Sequence, residues 1–266
     1  MSVLTQAAAD GMVVARRNLI KVKRVPDLLI FTTIQPVMFV LLFAYVFGGA
    51  IHPKGVNYRE FLMAGIFTQT VAFGSAITAI GLADDLQKGI IDRFRSLPMA
   101  RSAVLVGRTT SDLVNNLIVM VVMSLCGLLV GWRIHRSVGY ALLGYIVIFA
   151  FAFAMSWVSA TIGLSVSSVE VAQSAGFIWL FPVSFLSNAF VPTSQLTRFL
   201  RPIADWNPMS SVVASARELF GNKGTEKLST AWSMHHPVVT ALGWSLLLLL
   251  IFIPLSVRKY RAAATR

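Results

Sequence analysis

The chain has 266 residues, of which 56% are hydrophobic and 13% charged, with a formal net charge of +12. A soluble domain is roughly 45–50% apolar and about 25% charged, so this composition has too little polar surface to face water and reads as an integral membrane protein. The basic excess does not point to nucleic acid, because Lys and Arg fall in short clusters between long apolar runs, as they do where a chain is anchored against anionic lipid headgroups.

The first 27 residues carry Arg16, Arg17, Lys21, Lys23 and Arg24 but no apolar core of a signal peptide, so the first apolar stretch is read as a retained span. Met12, Ala15, Leu19 and Val22 recur at helical spacing among these cations. They predict an amphipathic helix on the inner leaflet over residues 1–26, with a frayed basic tail as the alternative. Pro26-Asp27 ends it.

A membrane span needs about 20 mostly apolar residues. Six stretches qualify: Leu28 to Ala50, Phe61 to Ala83, Thr109 to Gly131, Val138 to Val166, Val171 to Phe190 and Pro237 to Val257. The expected fold is all-α with six transmembrane helices, in one domain over 27–257 followed by a basic tail at 258–266. Placing both termini in the cytoplasm puts fourteen of the 23 Lys and Arg on the inside and nine on the outside, which favours N-in, C-in. In the fourth stretch Ser159, Gly163 and Ser167 stand four apart, a spacing of small residues that lets helix backbones approach closely. The single cysteine, Cys126, lies inside an apolar run and reads as a small buried hydrophobe.

Ion-coupled transport usually places ionisable groups at membrane depth. Here Asp112 falls near the start of the third stretch and Glu170 in a short connection, and both read as interfacial carboxylates. No G-x-x-x-x-G-K-[ST] string occurs, so ATP binding by a P-loop is not expected on this chain. His52, His135 and His235-His236 lie in outer segments without Cys or carboxylate company, and no metal site or catalytic constellation is expected.

Two polar segments remain. On the inside, Ile90, Phe94 and Leu97 form one face of a two-turn helix, with Asp92, Arg93 and Arg95 on its other faces, Pro98 ending it and Ser102 capping the next helix. So short a helix is marginal alone. Its apolar stripe needs either a groove on another protein or the chain's own bundle. On the outside, Leu196, Phe199 and Leu200 precede Pro202. Asn207-Pro208 then opens a helix that Gly221 closes, with Val212, Val213, Ala216, Leu219 and Phe220 along one side. Apolar faces on both pieces predict helices dipping into the outer leaflet.

The string from Gly89 to Met99, followed by Arg101 to Leu105 and Gly107-Arg108, resembles the daunorubicin-resistance branch of the ABC-2 permeases. Asn188 to Pro192 and Asn207 to Met209 are similar to that family as well. The resemblance implies a multi-pass permease of the bacterial inner membrane that exports an amphipathic drug or lipid-like substrate. It implies two permease copies, identical or paralogous, and two nucleotide-binding ATPase subunits that hold ATP and Mg, with no cofactor on this chain. It makes the inside segment a coupling helix, acting through Ile90, Asp92, Arg93, Phe94, Arg95 and Leu97, and makes the outer helices re-entrant. Its pathway between spans one, two and five points, by size and polarity, to Gln35, Phe39, Thr68, Gln69, Phe73, Phe185 and Asn188. Export of a glycolipid or polysaccharide, and a membrane scaffold without transport, are the alternative functions.

Overall fold

The computed structural model describes residues 26–47, 55–90, 103–193, 196–224 and 229–263. The predicted amphipathic N-terminal helix, the predicted Ser102 cap and Asp92, Arg93, Phe94, Arg95 and Leu97 lie outside them. The described residues form α-helices and no strand.

Helix α1, Pro26–Leu42, starts on a proline whose fixed φ suits a first helical position, and continues as a π-helical turn, Phe43–Phe47. Helix α2, Tyr58–Gly74, is capped by Asn57, whose side-chain oxygen accepts from the Arg59 backbone N–H at 3.0 Å. Ser75 keeps helical dihedrals and passes the chain into α3, Ala76–Gln87. Three more long helices follow: α4, Ala103–Val130; α5, Val138–Gly163; and, last in the chain, α10, Pro237–Ala263. Between α5 and α10 lie α6 (Val169–Phe185), α7 (Arg201–Trp206), α8 (Pro208–Phe220) and α9 (Trp232–His235).

Among the described residues, four helical stretches are long and apolar enough to cross a membrane: Tyr58–Gln87, Val104–Val130, Val138–Gly163 and Pro237–Ala262. At about 1.5 Å per residue each exceeds the roughly 30 Å hydrocarbon core. They coincide with the second, third, fourth and sixth predicted stretches. The first and fifth contain shorter apolar helices. Helix α6 stops at Phe185, short of the predicted Phe190, because its last carbonyls are satisfied from elsewhere. The Asn207 amide donates to Val183 O at 2.7 Å and to Leu186 O at 3.1 Å, and the Asn188 N–H donates to Ser210 Oγ at 3.0 Å. An end capped by distant side chains leaves no local signature.

Helix α5 is central, packing on α2, α3, α4, α6, α8 and α10. Small residues bring its backbone close to that of α3. Ser159 Oγ lies 2.9 Å from Ser75 Oγ, and a Cβ on Gly163 would overlap the backbone of Ala79. Ser159 and Gly163 therefore serve packing, as the sequence predicts, while Ser167 lies beyond the end of α5. Gly163→Ala is expected to cost about 1–3 kcal/mol through forced helix separation, read as a lower thermal midpoint in detergent. Gly139→Ala in the same helix, where nothing lies within 4 Å, should leave the midpoint unchanged or raise it.

Helix α8 has the predicted ends: Asn207 Oδ1 accepts from the Met209 N–H at 2.8 Å, Pro208 opens the helix, and Gly221 closes it at φ 79°. Its predicted apolar residues are all buried, against α2, α5 and α10. That face is covered by the chain's own bundle.

Candidate functional site

A cavity of about 230 Å³ lies between α1, the α2–α3 helix, α4 and α6. One wall is polar. Asp112, Asn115 and Asn116 are three and four residues apart and so share one face of α4. Gln35 on α1 and Gln69 and Thr70 on α2 add amides and a hydroxyl. The remaining surface is apolar, chiefly Phe39, Phe73, Phe177 and Phe181.

The polar wall is held by a tie between α3 and α4. Asp112 is only 6% exposed and accepts a hydrogen bond from Thr78 Oγ1. Arg108, one turn earlier on α4, places Nε 3.9 Å from Asp112 Oδ1 and donates from Nη2 to Ile77 O at 3.1 Å. This geometry requires glycine at position 81, since a Cβ there would overlap the Arg108 guanidinium. Sequence position puts Asp112 at an interface; the fold instead buries it at the cavity, where its charge is offset by a cation and a hydroxyl. Asn115 Oδ1 is buried and accepts no hydrogen bond among the described residues.

The aromatic side of the cavity extends into an arch of seven phenylalanines. From Phe73, ring centroids run to Phe177 at 5.9 Å and Phe181 at 5.1 Å, then along α6 to Phe185 at 6.2 Å and on to Phe190 at 5.7 Å. Phe190 stacks on Phe43 at 4.7 Å, and Phe43 on Phe39 at 5.8 Å. Both legs of the arch end on rings that line the cavity. Offset-stacked and edge-to-face pairs at these separations are each worth about 0.5–1.5 kcal/mol beyond area burial.

Of the seven residues predicted for a pathway, Gln35, Phe39, Gln69 and Phe73 line this cavity and Phe185 belongs to the arch. Thr68 is fully buried and donates back to Ala64 O at 2.9 Å, while Asn188 lies beyond α6 with its amide 3.8 Å from Met234 Sδ. Ile90 is half-buried and follows Gly89, which turns the chain out of α3 at φ 64°. Sequence reading missed Asn115, Asn116, Phe177 and Phe181. Their signal was there as an Asp-x-x-Asn-Asn string in an apolar run and a four-residue repeat of phenylalanine.

A buried cation was also missed. Arg217 on α8 is 5% exposed, donates from Nε to Phe61 O at 2.9 Å and from Nη2 to Ala189 O at 3.0 Å, and lies 3.4 Å from the centre of the Phe61 ring. It fixes α8 to α2 and to the segment after α6. Among the described residues, no group of His, Cys, Asp and Glu is placed to hold a metal ion.

The sequence profile of the ABC-2 type transporter family matches residues 11–220, which include the whole cavity and its arch. The chain belongs to the ABC-2 type transporter family. Over 245 residues it is 31% identical to the daunorubicin resistance ABC transporter permease protein DrrB1 of Streptomyces coeruleorubidus, covering 92% of this chain and 83% of that one. Over 220 residues it is 23% identical to the doxorubicin resistance ABC transporter permease protein DrrB of Mycobacterium tuberculosis, covering 79% and 76%. Membership in the ABC-2 family, with four long apolar helices, makes this a multi-pass membrane protein. In this ABC-2 permease the cavity combines a polar wall from α4 with aromatic surfaces from α1, α2 and α6.

Proposed function

We propose that this chain is the permease of an ATP-powered exporter that moves amphipathic, drug-like molecules out of a bacterial cell. The observation that carries this reading is the near full-length similarity to a permease named for daunorubicin resistance. In this reading α1 and α6 complete a set of six spans. From Pro26 to Phe47 the first helix has about 33 Å of length at helical rise, enough to cross. The short α6 is supported by the side-chain caps at its buried end. Both termini lie in the cytoplasm, and α7 and α8 enter from the outer face.

Two copies of the permease, identical or paralogous, pair with two nucleotide-binding ATPase subunits, which hold ATP and Mg. The segment from Ile90 through Asp92, Arg93, Phe94 and Arg95 to Leu97 docks on the ATPase. It leaves α3 and returns as α4, the two helices joined by the tie from Arg108 and Asp112 to Ile77 and Thr78. Displacing the docked segment therefore moves two cavity walls together.

Affinity capture of the tagged chain from membranes of its native host tests this. One P-loop ATPase at equal stoichiometry is expected, and deletion of the permease should lower tolerance to daunorubicin until the chain is restored. Capture without an ATPase, with unchanged tolerance, contradicts the proposal. Loss of a surface glycolipid with unchanged tolerance contradicts its cargo class.

A further inference from the structure

Helix α7 hides its acid and exposes its large apolar side chains. Its winding begins before Arg201, since the Leu200 and Arg201 N–H groups both donate to Thr197 O, at 3.0 and 3.1 Å. Phe199, Ile203 and Trp206 stand at i, i+4 and i+7 on one face, and they are 81%, 48% and 52% exposed. Ala204 and Asp205 are buried. The Asp205 carboxylate accepts a hydrogen bond from Ser229 Oγ, and its backbone carbonyl accepts from Ser233 Oγ at 2.6 Å, which ties α7 to α9. On α9, Trp232 is 53% exposed. Of the six tryptophans in the chain, Trp206 and Trp232 are the two that are exposed.

Connectivity sets the depth of this surface. His236 alone separates α9 from Pro237, the first residue of α10, which is long and apolar enough to cross a membrane. The exposed side chains are therefore held at the end of a spanning helix, the level at which tryptophan is enriched. Charge is sorted to match. Arg198 and Arg201 are exposed on the same turns as Phe199 and Ile203. Asp205 is the one acid in segments 196–207 and 229–236, and it is turned inward. A surface that is apolar and cationic at this depth complements a layer of anionic lipid headgroups.

We propose that the exposed side of α7 and α9 is a contact for anionic lipid, in which Phe199, Ile203, Trp206 and Trp232 enter the interfacial layer and Arg198 and Arg201 meet the headgroup phosphate. A guanidinium has five N–H donors, so Arg201 serves a phosphate alongside the partner it has within the chain. The contact rests on the exporter reading only for the leaflet it meets, the outer one.

The full chain is reconstituted in nanodiscs containing phosphatidylglycerol or phosphatidylcholine brominated near the glycerol end of the acyl chains. Quenching of tryptophan fluorescence is followed against the mole fraction of brominated lipid. The part of the quenching lost in Trp206→Phe with Trp232→Phe belongs to this surface. Each arginine beside an anionic headgroup is worth about fivefold in affinity. Phosphatidylglycerol should therefore quench the two tryptophans at a mole fraction lower by about fivefold or more than phosphatidylcholine, whose choline cancels the charge of its phosphate. Arg198→Gln with Arg201→Gln should bring the two lipids level with quenching retained. Phe199→Ser with Ile203→Ser should weaken quenching by both and keep their ratio.

No quenching by either lipid overturns the proposal and leaves the surface to water or to a second copy of the chain. Equal quenching by the two lipids in the unaltered chain overturns it, as does a preference that survives the arginine replacements or quenching indifferent to the serine replacements. Loss of the preference to inorganic phosphate at matched ionic strength also overturns it, by making the site one for soluble anions. Both leaflets of the nanodisc share one composition, and the assay uses neither ATP nor an ATPase. Lipid preference without drug tolerance would fault the exporter reading alone, and drug tolerance without lipid preference would fault only this contact.

Discussion

Phe94→Ala combined with Arg95→Glu is expected to abolish drug tolerance while the chain remains in the membrane at wild-type abundance. Phe94 is the central residue of the Ile90, Phe94, Leu97 stripe, and a short helix with one aromatic anchor concentrates its docking energy there. Truncating such an anchor costs about 2 kcal/mol or more, and reversing a neighbouring charge adds misplaced electrostatics. Association with the ATPase should therefore weaken on the order of a hundredfold. In the proposed coupling, export fails with it because α3 and α4 move as one. Helix α3 ends at Gln87 and α4 begins at Ala103, and the tie between them involves Ile77, Thr78, Arg108 and Asp112. Ile77 and Asp112 also line the cavity, so an undocked segment leaves the cavity walls without their drive. Co-purification of the ATPase and growth in daunorubicin are the readouts. Undiminished capture together with undiminished growth would sink the coupling role.

Arg217→Met is expected to lower the stability of the purified chain by on the order of 3 kcal/mol, since losing a buried, hydrogen-bonded cation strands its acceptors. Phe61 O and Ala189 O would each lose a charged donor, and the Phe61 ring would lose the guanidinium stacked 3.4 Å from its centre. Arg217→Lys should recover only part of this, because an ammonium cannot reach two carbonyls and a ring face with one planar fork. Thermal unfolding in detergent, followed by monodispersity on gel filtration, measures both variants. A midpoint for Arg217→Met equal to that of the wild type would show that α8 is held by its apolar face alone.

The two buried ions illustrate how far the sequence could be read. Arg217 counts among the outer loop cations by position, and its burial follows from α8 folding back onto Phe61, which lies 156 residues earlier. Asp112 reads as interfacial because charges near a span's end usually are. Its partner Thr78 lies on another helix, 34 residues away. Phe39, Phe73 and Phe185 follow from size and polarity within the spans that the family resemblance implies, and they stand in the arch or on the cavity. Thr68 and Asn188 follow on the same grounds; the Thr68 hydroxyl donates to Ala64 O, and the Asn188 side-chain amide lies 3.8 Å from Met234 Sδ.

What the sequence determined by itself is the placement of the long helices, the caps of α8 and the small-residue seam of α5. Each of these depends on forces that act within a segment: apolar length against the bilayer, cap chemistry at a helix end, and backbone room at glycine and serine. Only the tertiary structure decided where α6 ends, which ions are buried and which polar atoms face a common space. Those outcomes depend on side chains tens of residues apart meeting at one point, as Asn207 meets Leu186 and Thr78 meets Asp112. The unpaired oxygen of Asn115 belongs to the same class, since an acceptor lacks a partner only relative to everything packed around it.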